Sequence, residues 1–129
     1  MIHYLADACA LVVYFGAGDP RAGLGPEGLA AMNGADVAVS PISVWEITRK
    51  MALGKLRPLA GGESVVASFR RHGFTLHPLE WADAEHANAL PALHKDPMDR
   101  MLIAQALRIG AVIVTSDRMF EAYGVRTLW

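Results

Sequence analysis

The chain has 129 residues and a formal net charge of -1, enough for one compact domain over residues 1–129 and no overall pull towards polyanions or a membrane surface. Cys9 is the only cysteine, which excludes an intrachain disulfide and a paired-cysteine zinc site and fits a reducing cytoplasm. The hydrophobic share of 53% exceeds the roughly 45–50% of typical soluble domains, which implies some apolar surface that meets a partner.

The stretch Ile2 to Asp7, "IHYLAD", reads as a short strand ended by a carboxylate, and "ACALVVYF" after it as a buried helix. The longest apolar run, Ala8 to Gly18, is too short for the roughly 20 residues of a membrane span, and no basic segment precedes it as in a signal peptide, so a soluble, unprocessed protein is expected. Gly16 to Gly28, "GAGDPRAGLGPEG", reads as an internal loop.

Ala35 to Pro41 predicts a second strand, and Ser43 to Leu53 a helix with Ser43 as N-cap, Glu46 in its first turn and Gly54 at its end. Glu63 to Gly73 predicts a helix, Phe74 to Leu79 a strand, and Trp81 to Leu90 another helix. In "HKDPMDRMLIAQAL" Asp96 is placed as N-cap and Pro97 as first helical residue. Met98, Met101, Leu102, Gln105 and Ile109 then form a mostly apolar face that ends before Gly110. Ala111 to Asp117, "AVIVTSD", is the near-continuous apolar run of a strand buried on both faces, and Arg118 to Gly124 and Val125 to Trp129 supply a short helix and a last strand. The alternation predicts an open α/β sheet covered by helices.

In such sheets ligands bind beyond the carboxyl ends of the strands, near the point where strand order reverses. Asp7 and Asp117 end strands; Glu46 and Asp99 lie near helix starts, Glu46 after a strand and Asp99 after a loop. Acids crowded at one edge repel one another unless a cation is present, and hard oxygen ligands favour Mg²⁺ or Mn²⁺. Each residue also has a plain structural role open to it. Asp96 caps a helix for backbone reasons alone. Asp99 can be the partner in a capping box, Glu46 can pair with Arg49 and Lys50 on a helix face, and Asp117 can cap the helix after it. Asp7, after an apolar strand and before an apolar helix, is costly there unless paired or ligating. The histidines (His3, His72, His77, His86 and His94) lack ligand spacing and read as surface or core residues. No Walker A loop, dinucleotide glycine fingerprint or Gly-x-Ser-x-Gly elbow occurs.

The segments "YLADACALVVYF", "SPISVWEITRKMALGKL" and "HKDPMDRMLIAQALRIGAVIVTSDRMFEAYGVRTLW" resemble the PIN-domain ribonucleases, specifically VapC-type toxins of toxin-antitoxin pairs. The resemblance implies a three-layer α/β/α sandwich with a central, mostly parallel sheet. It also implies an acidic pocket for one or two Mg²⁺ or Mn²⁺ ions. By motif, Asp7, Glu46, Asp99 and Asp117 are the catalytic acids, with Asp7 and Asp99 the most direct metal ligands. Glu46 and Asp117 complete the shell, through waters or a second metal. Asp96 matches a family acid near the pocket and keeps its capping role.

The activity implied is metal-dependent endoribonuclease cleavage of structured RNA such as transfer or ribosomal RNA, by a water that the metal activates. The partners implied are a VapB-type antitoxin, whose apolar segment fills a groove, and a second copy in a homodimer. Trp45, Tyr14 and Phe15 are candidate groove residues; Arg49, Lys50, Lys55, Arg57, Arg100 and Arg118 are candidates for phosphate contacts or plain surface charge. The alternative is a catalytically silent PIN-like module that binds RNA or protein. An aspartyl-nucleophile phosphatase wants a second Asp where Cys9 stands, and a receiver domain wants a strand-end phosphoacceptor Asp with a late Lys after another strand, a set that does not occur.

Overall fold

A computed structural model describes residues 4–34, 36–59 and 62–129. Ile2 and His3 of the first predicted strand, and Ala35 at the start of the second, lie outside the described residues. Strand β1 is Tyr4–Ala6, and helix α1, Ala8–Phe15, follows with Asp7 as N-cap. Helix α2, Pro26–Met32, arises inside the glycine-rich stretch expected to be a loop, because Pro26 presets the first helical position and carries no N–H that needs a partner there.

Strand β2 is Val37–Val39, and helix α3, Pro41–Ala52, starts two residues before the expected cap. Ser40, not Ser43, caps it by accepting the Ile42 N–H at 3.1 Å, and Pro41 opens the helix. Glu46 therefore sits in the second turn. Helix α4 is Val65–Arg71, strand β3 Thr75–Leu76, helix α5 Trp81–Ala89, helix α6 Pro97–Ile109 and strand β4 Val112–Val114. A 3-10 helix at Arg118–Tyr123 leads into strand β5, Thr127–Leu128.

The five strands form one parallel sheet in the order β3-β2-β1-β4-β5, so strand order reverses between β1 and β4. Alternate residues feed two cores. Ala6, Val37, Val39 and Val114 pack with Leu11, Met32, Ile47 and Phe69 on the α1 to α4 side. Leu5, Ala38 and Ile113 pack with Leu102, Ile103, Ala106 and Phe120 on the α6 side. A sheet buried on both faces explains the unbroken apolar strands, and the result is the three-layer α/β/α sandwich.

Helix α6 carries both of its predicted caps. The Asp96 carboxylate accepts the Met98 N–H at 2.9 Å, and Gly110 closes the helix at φ 70°, a left-handed conformation that glycine adopts without strain. Gln105, the polar member of the apolar face, is fully buried and donates to the His77 carbonyl at 3.0 Å, which ties α6 to the end of β3. Among the described residues no helix is long and apolar enough to cross a membrane.

Candidate metal centre

The reversal point puts two strand ends side by side, and the Asp7 N–H donates to the Val114 carbonyl at 3.1 Å. Asp7 thus leaves β1 beside the turn that carries Thr115, Ser116 and Asp117. Helix α3 brings Glu46 and Lys50 to this edge, and the start of α6 brings Asp96 and Asp99. Together with Cys9 and Ser43, the side chains of Asp7, Glu46, Lys50, Asp96, Asp99 and Asp117 line a polar cleft of about 180 Å³ that Ile42, Leu102 and Phe120 also border. All four candidate acids converge there, and Asp96 joins them.

The acids are not equivalent. Asp7 caps α1, accepting the Ala10 N–H at 2.8 Å, and the buried Thr115 hydroxyl also hydrogen-bonds to it. Thr115 Oγ1 in turn accepts the Asp117 N–H at 3.0 Å, so the two strand ends share one network. Burial raises the Asp7 pKa above its ordinary value against these bonds, and Asp117 adds to the rise. Glu46 is raised by burial and then by the charges of Asp96 and Asp7, with Lys50 opposing. Asp99 is pushed up to about 7, first by burial and then by Asp96 and Glu46, with His94 opposing.

Three carboxylates that resist ionisation in one cleft are a donor set short of positive charge. Lys50 is exposed and supplies only part of it. A divalent cation with oxygen preference fits this deficit, and Asp7, Glu46 and Asp99 have oxygens to give it. Asp117 is differently engaged: one oxygen accepts the Met119 N–H at 2.9 Å, and the other is hydrogen-bonded to His94 Nε2 at 3.2 Å.

His94 escapes sequence reasoning. His94 Nε2 lies 3.1 Å from Asp99 Oδ2 and 3.2 Å from Asp117 Oδ2, which makes it part of the acid cluster and not a plain surface or core residue. It falls five residues before Asp99 and in a loop, so no helical or strand period links the two. The available signal is its place in "HKDPMD", beside the two acids.

The basic candidates separate equally clearly. Lys50 lines the cleft. Arg57 donates to the Gly16 and Gly18 carbonyls, Arg100 to the carbonyls of Ala87, Leu90, Pro91 and His94, and Arg49 lies over the Trp45 ring. Arg118 borders a separate hollow with Glu27 and Trp129. On the opposite face of α3, Val44, Trp45 and Thr48 join Val39, Val66, Leu76 and Pro78 around an apolar groove of about 620 Å³. Trp45 is half exposed in it, while Tyr14 and Phe15 belong to an aromatic cluster with Phe69, His72 and Phe74.

The PIN domain family matches residues 4–125. The chain belongs to the PIN domain family. A search of curated protein sequences gives no match. Among solved structures, the PIN fold of this chain superposes on the FitAcB structure from Neisseria gonorrhoeae with a TM-score of 0.66 at 19% identity, covering 98% of this chain and 96% of that one. The DNA-bound VapBC complex from Salmonella typhimurium matches with a TM-score of 0.66 at 21% identity, over 98% and 97% of the two chains. A toxin-antitoxin complex from Klebsiella pneumoniae matches with a TM-score of 0.61 at 17% identity, over 88% and 86%. Likeness at these identities is a likeness of fold.

Proposed function

We propose that residues 1–129 form one PIN domain that acts as a metal-dependent endoribonuclease, the toxin of a VapBC-type pair. The observation that carries this reading is the convergence of Asp7, Glu46 and Asp99, each with its pKa raised, on one cleft at the switch point of a PIN sheet. The toxin assignment draws on the fold shared with VapBC and FitAcB.

In this reading Asp7 and Asp99 hold Mg²⁺ or Mn²⁺, and Glu46 and Asp117 complete the shell, through waters or a second metal. The ion, when bound, activates water and offsets charge on the scissile phosphate. Asp7 is fixed for its part by the Ala10 N–H and the Thr115 hydroxyl. Glu46 has no hydrogen-bond partner for its carboxylate among the described residues, so it is free to orient a water and accept its proton. Lys50, on the rim, meets the incoming phosphate backbone, and binding weakens as salt rises.

The partners follow the same reading. A VapB-type antitoxin lays an apolar segment in the groove beside Trp45, a second copy completes a homodimer, and the protein works in the cytoplasm.

The decisive experiment incubates purified, antitoxin-free protein with total cellular RNA in Mg²⁺ or Mn²⁺, beside EDTA and Asp7→Asn controls, and maps fragment ends. Discrete cuts that need both metal and Asp7 are expected. RNA binding without cleavage, indifferent to chelator, would sink the nuclease reading in favour of a binding module.

A further inference from the structure

The side of the acid cluster away from Asp7 is organised by His94. Asp96 donates its backbone N–H to His94 Nδ1 at 3.2 Å. A ring nitrogen that accepts leaves the ring proton on the other, so Nε2 faces Asp99 and Asp117 as a donor. Three atoms with metal-site spacing lie here within 4.8 Å of one another, from His94, Asp99 and Asp117. One of the three has no lone pair to offer.

The ring is held against turning away. Arg100 gathers four carbonyls of the segment that ends at His94, those of Ala87, Leu90, Pro91 and His94, at 2.8 to 3.3 Å. The Tyr123 hydroxyl accepts the N–H groups of Leu93 at 3.1 Å and His94 at 2.6 Å, and it donates to the Pro91 carbonyl at 2.8 Å. Phe120 packs on the imidazole with ring centroids 5.7 Å apart. Ordering this loop through so many bonds is what a fixed donor requires.

We propose that His94, by its Nε2–H, fills the side of the cluster where a second cation would sit, so that the centre binds a single divalent ion among Asp7, Glu46 and Asp99. This rests on the metal-nuclease reading and sharpens it to one ion. His94 is a positioning residue: it acts through Asp99 and Asp117, turning one oxygen of each towards itself and leaving Asp99's other oxygen for the ion. Without that donor the two carboxylates face each other unscreened, and a second cation is the remaining way to offset them.

The test counts Mn²⁺ bound per folded chain, by paramagnetic resonance of the free ion, in the wild type and in two variants. His94→Gln keeps an N–H donor of similar reach, and His94→Leu removes it; circular dichroism and a thermal melt establish folding, and His94→Ala replaces the leucine variant if that does not fold. One ion is expected in wild type and His94→Gln, and two in the donor-less variant. Two ions in the wild type, one in the donor-less variant, or two in His94→Gln would each overturn the proposal. A folded wild type that binds no Mn²⁺ removes the metal centre itself, an outcome separate from these.

Discussion

Asp83 and Asp99 are both withdrawn from solvent, and their surroundings treat their charges in opposite ways. Burial works against the charge of Asp83, yet Arg108 grips both its oxygens at 2.7 and 2.9 Å and the Glu80 N–H adds a third bond at 2.9 Å, so its pKa ends below the ordinary value. Asp99 faces Asp96, Glu46 and Asp7, with His94 as its one close donor among the described residues, and its pKa rises to about 7. The first arrangement joins α5 to α6 and is complete as it stands. The second keeps oxygens without donors, which is what an ion-binding cleft requires and a merely structural one avoids.

The contrast can be broken at its stable end first. Asp83→Ala leaves Arg108 without its partner and is expected to cost about 3 kcal/mol, the lower end for a buried pair, because the Arg108 side chain keeps 24% exposure and recovers some water. Urea unfolding measures the loss, and Mn²⁺ affinity per folded molecule stays as in the wild type. Next, Asp99→Asn is expected to weaken Mn²⁺ binding by more than about 100-fold, beyond what loss of a supporting partner costs a metal site. Its metal-free melting temperature at neutral pH holds or rises; a clear fall would mean that Asp99 is structural.

The pH dependence sharpens the same difference. With its folded pKa raised from 3.8 to about 7, Asp99 binds its proton more tightly in the folded chain. Its contribution to stability is therefore full below about pH 4 and is lost as pH rises through about 7. Melts of the EDTA-treated protein from pH 5 to 8 are expected to show this fall. Asp99→Asn flattens the profile, and saturating Mn²⁺ lifts it at the alkaline end, by about 2.7 kcal/mol when the ion stands at 100 times its Kd. The smallest effect is at Asp96, where alanine removes the cap on α6 for about 1 kcal/mol and also lowers the pKa of Asp99 by taking away a neighbouring negative charge.

Much of this was legible beforehand because the signals were local. Asp96, Pro97 and Gly110 mark α6 by backbone chemistry alone, and the apolar run Val112–Val114 announces a strand covered on both sides. The misplaced cap of α3 has a local cause as well. Ser40 and Ser43 are both eligible, and Pro41 fits the end of a strand as well as the start of a helix. Helix α2 was hidden by its glycines, of which Gly28 sits so close to the backbone of Trp129 that a Cβ there would come within 2.6 Å. His94 could not be found by spacing, since its place beside Asp117 is made by Arg100 and Tyr123 folding its loop back, a tertiary effect.

The strand order has a consequence in time. Asp7 is made well before its acidic neighbours Asp99 and Asp117, and β1 is complete only when flanked by β2 and β4. Pairings of such long sequence separation form late and slowly. A growing chain therefore carries its acids apart until Asp117 is made, and the cleft comes into being only as β4 and β5 join the sheet.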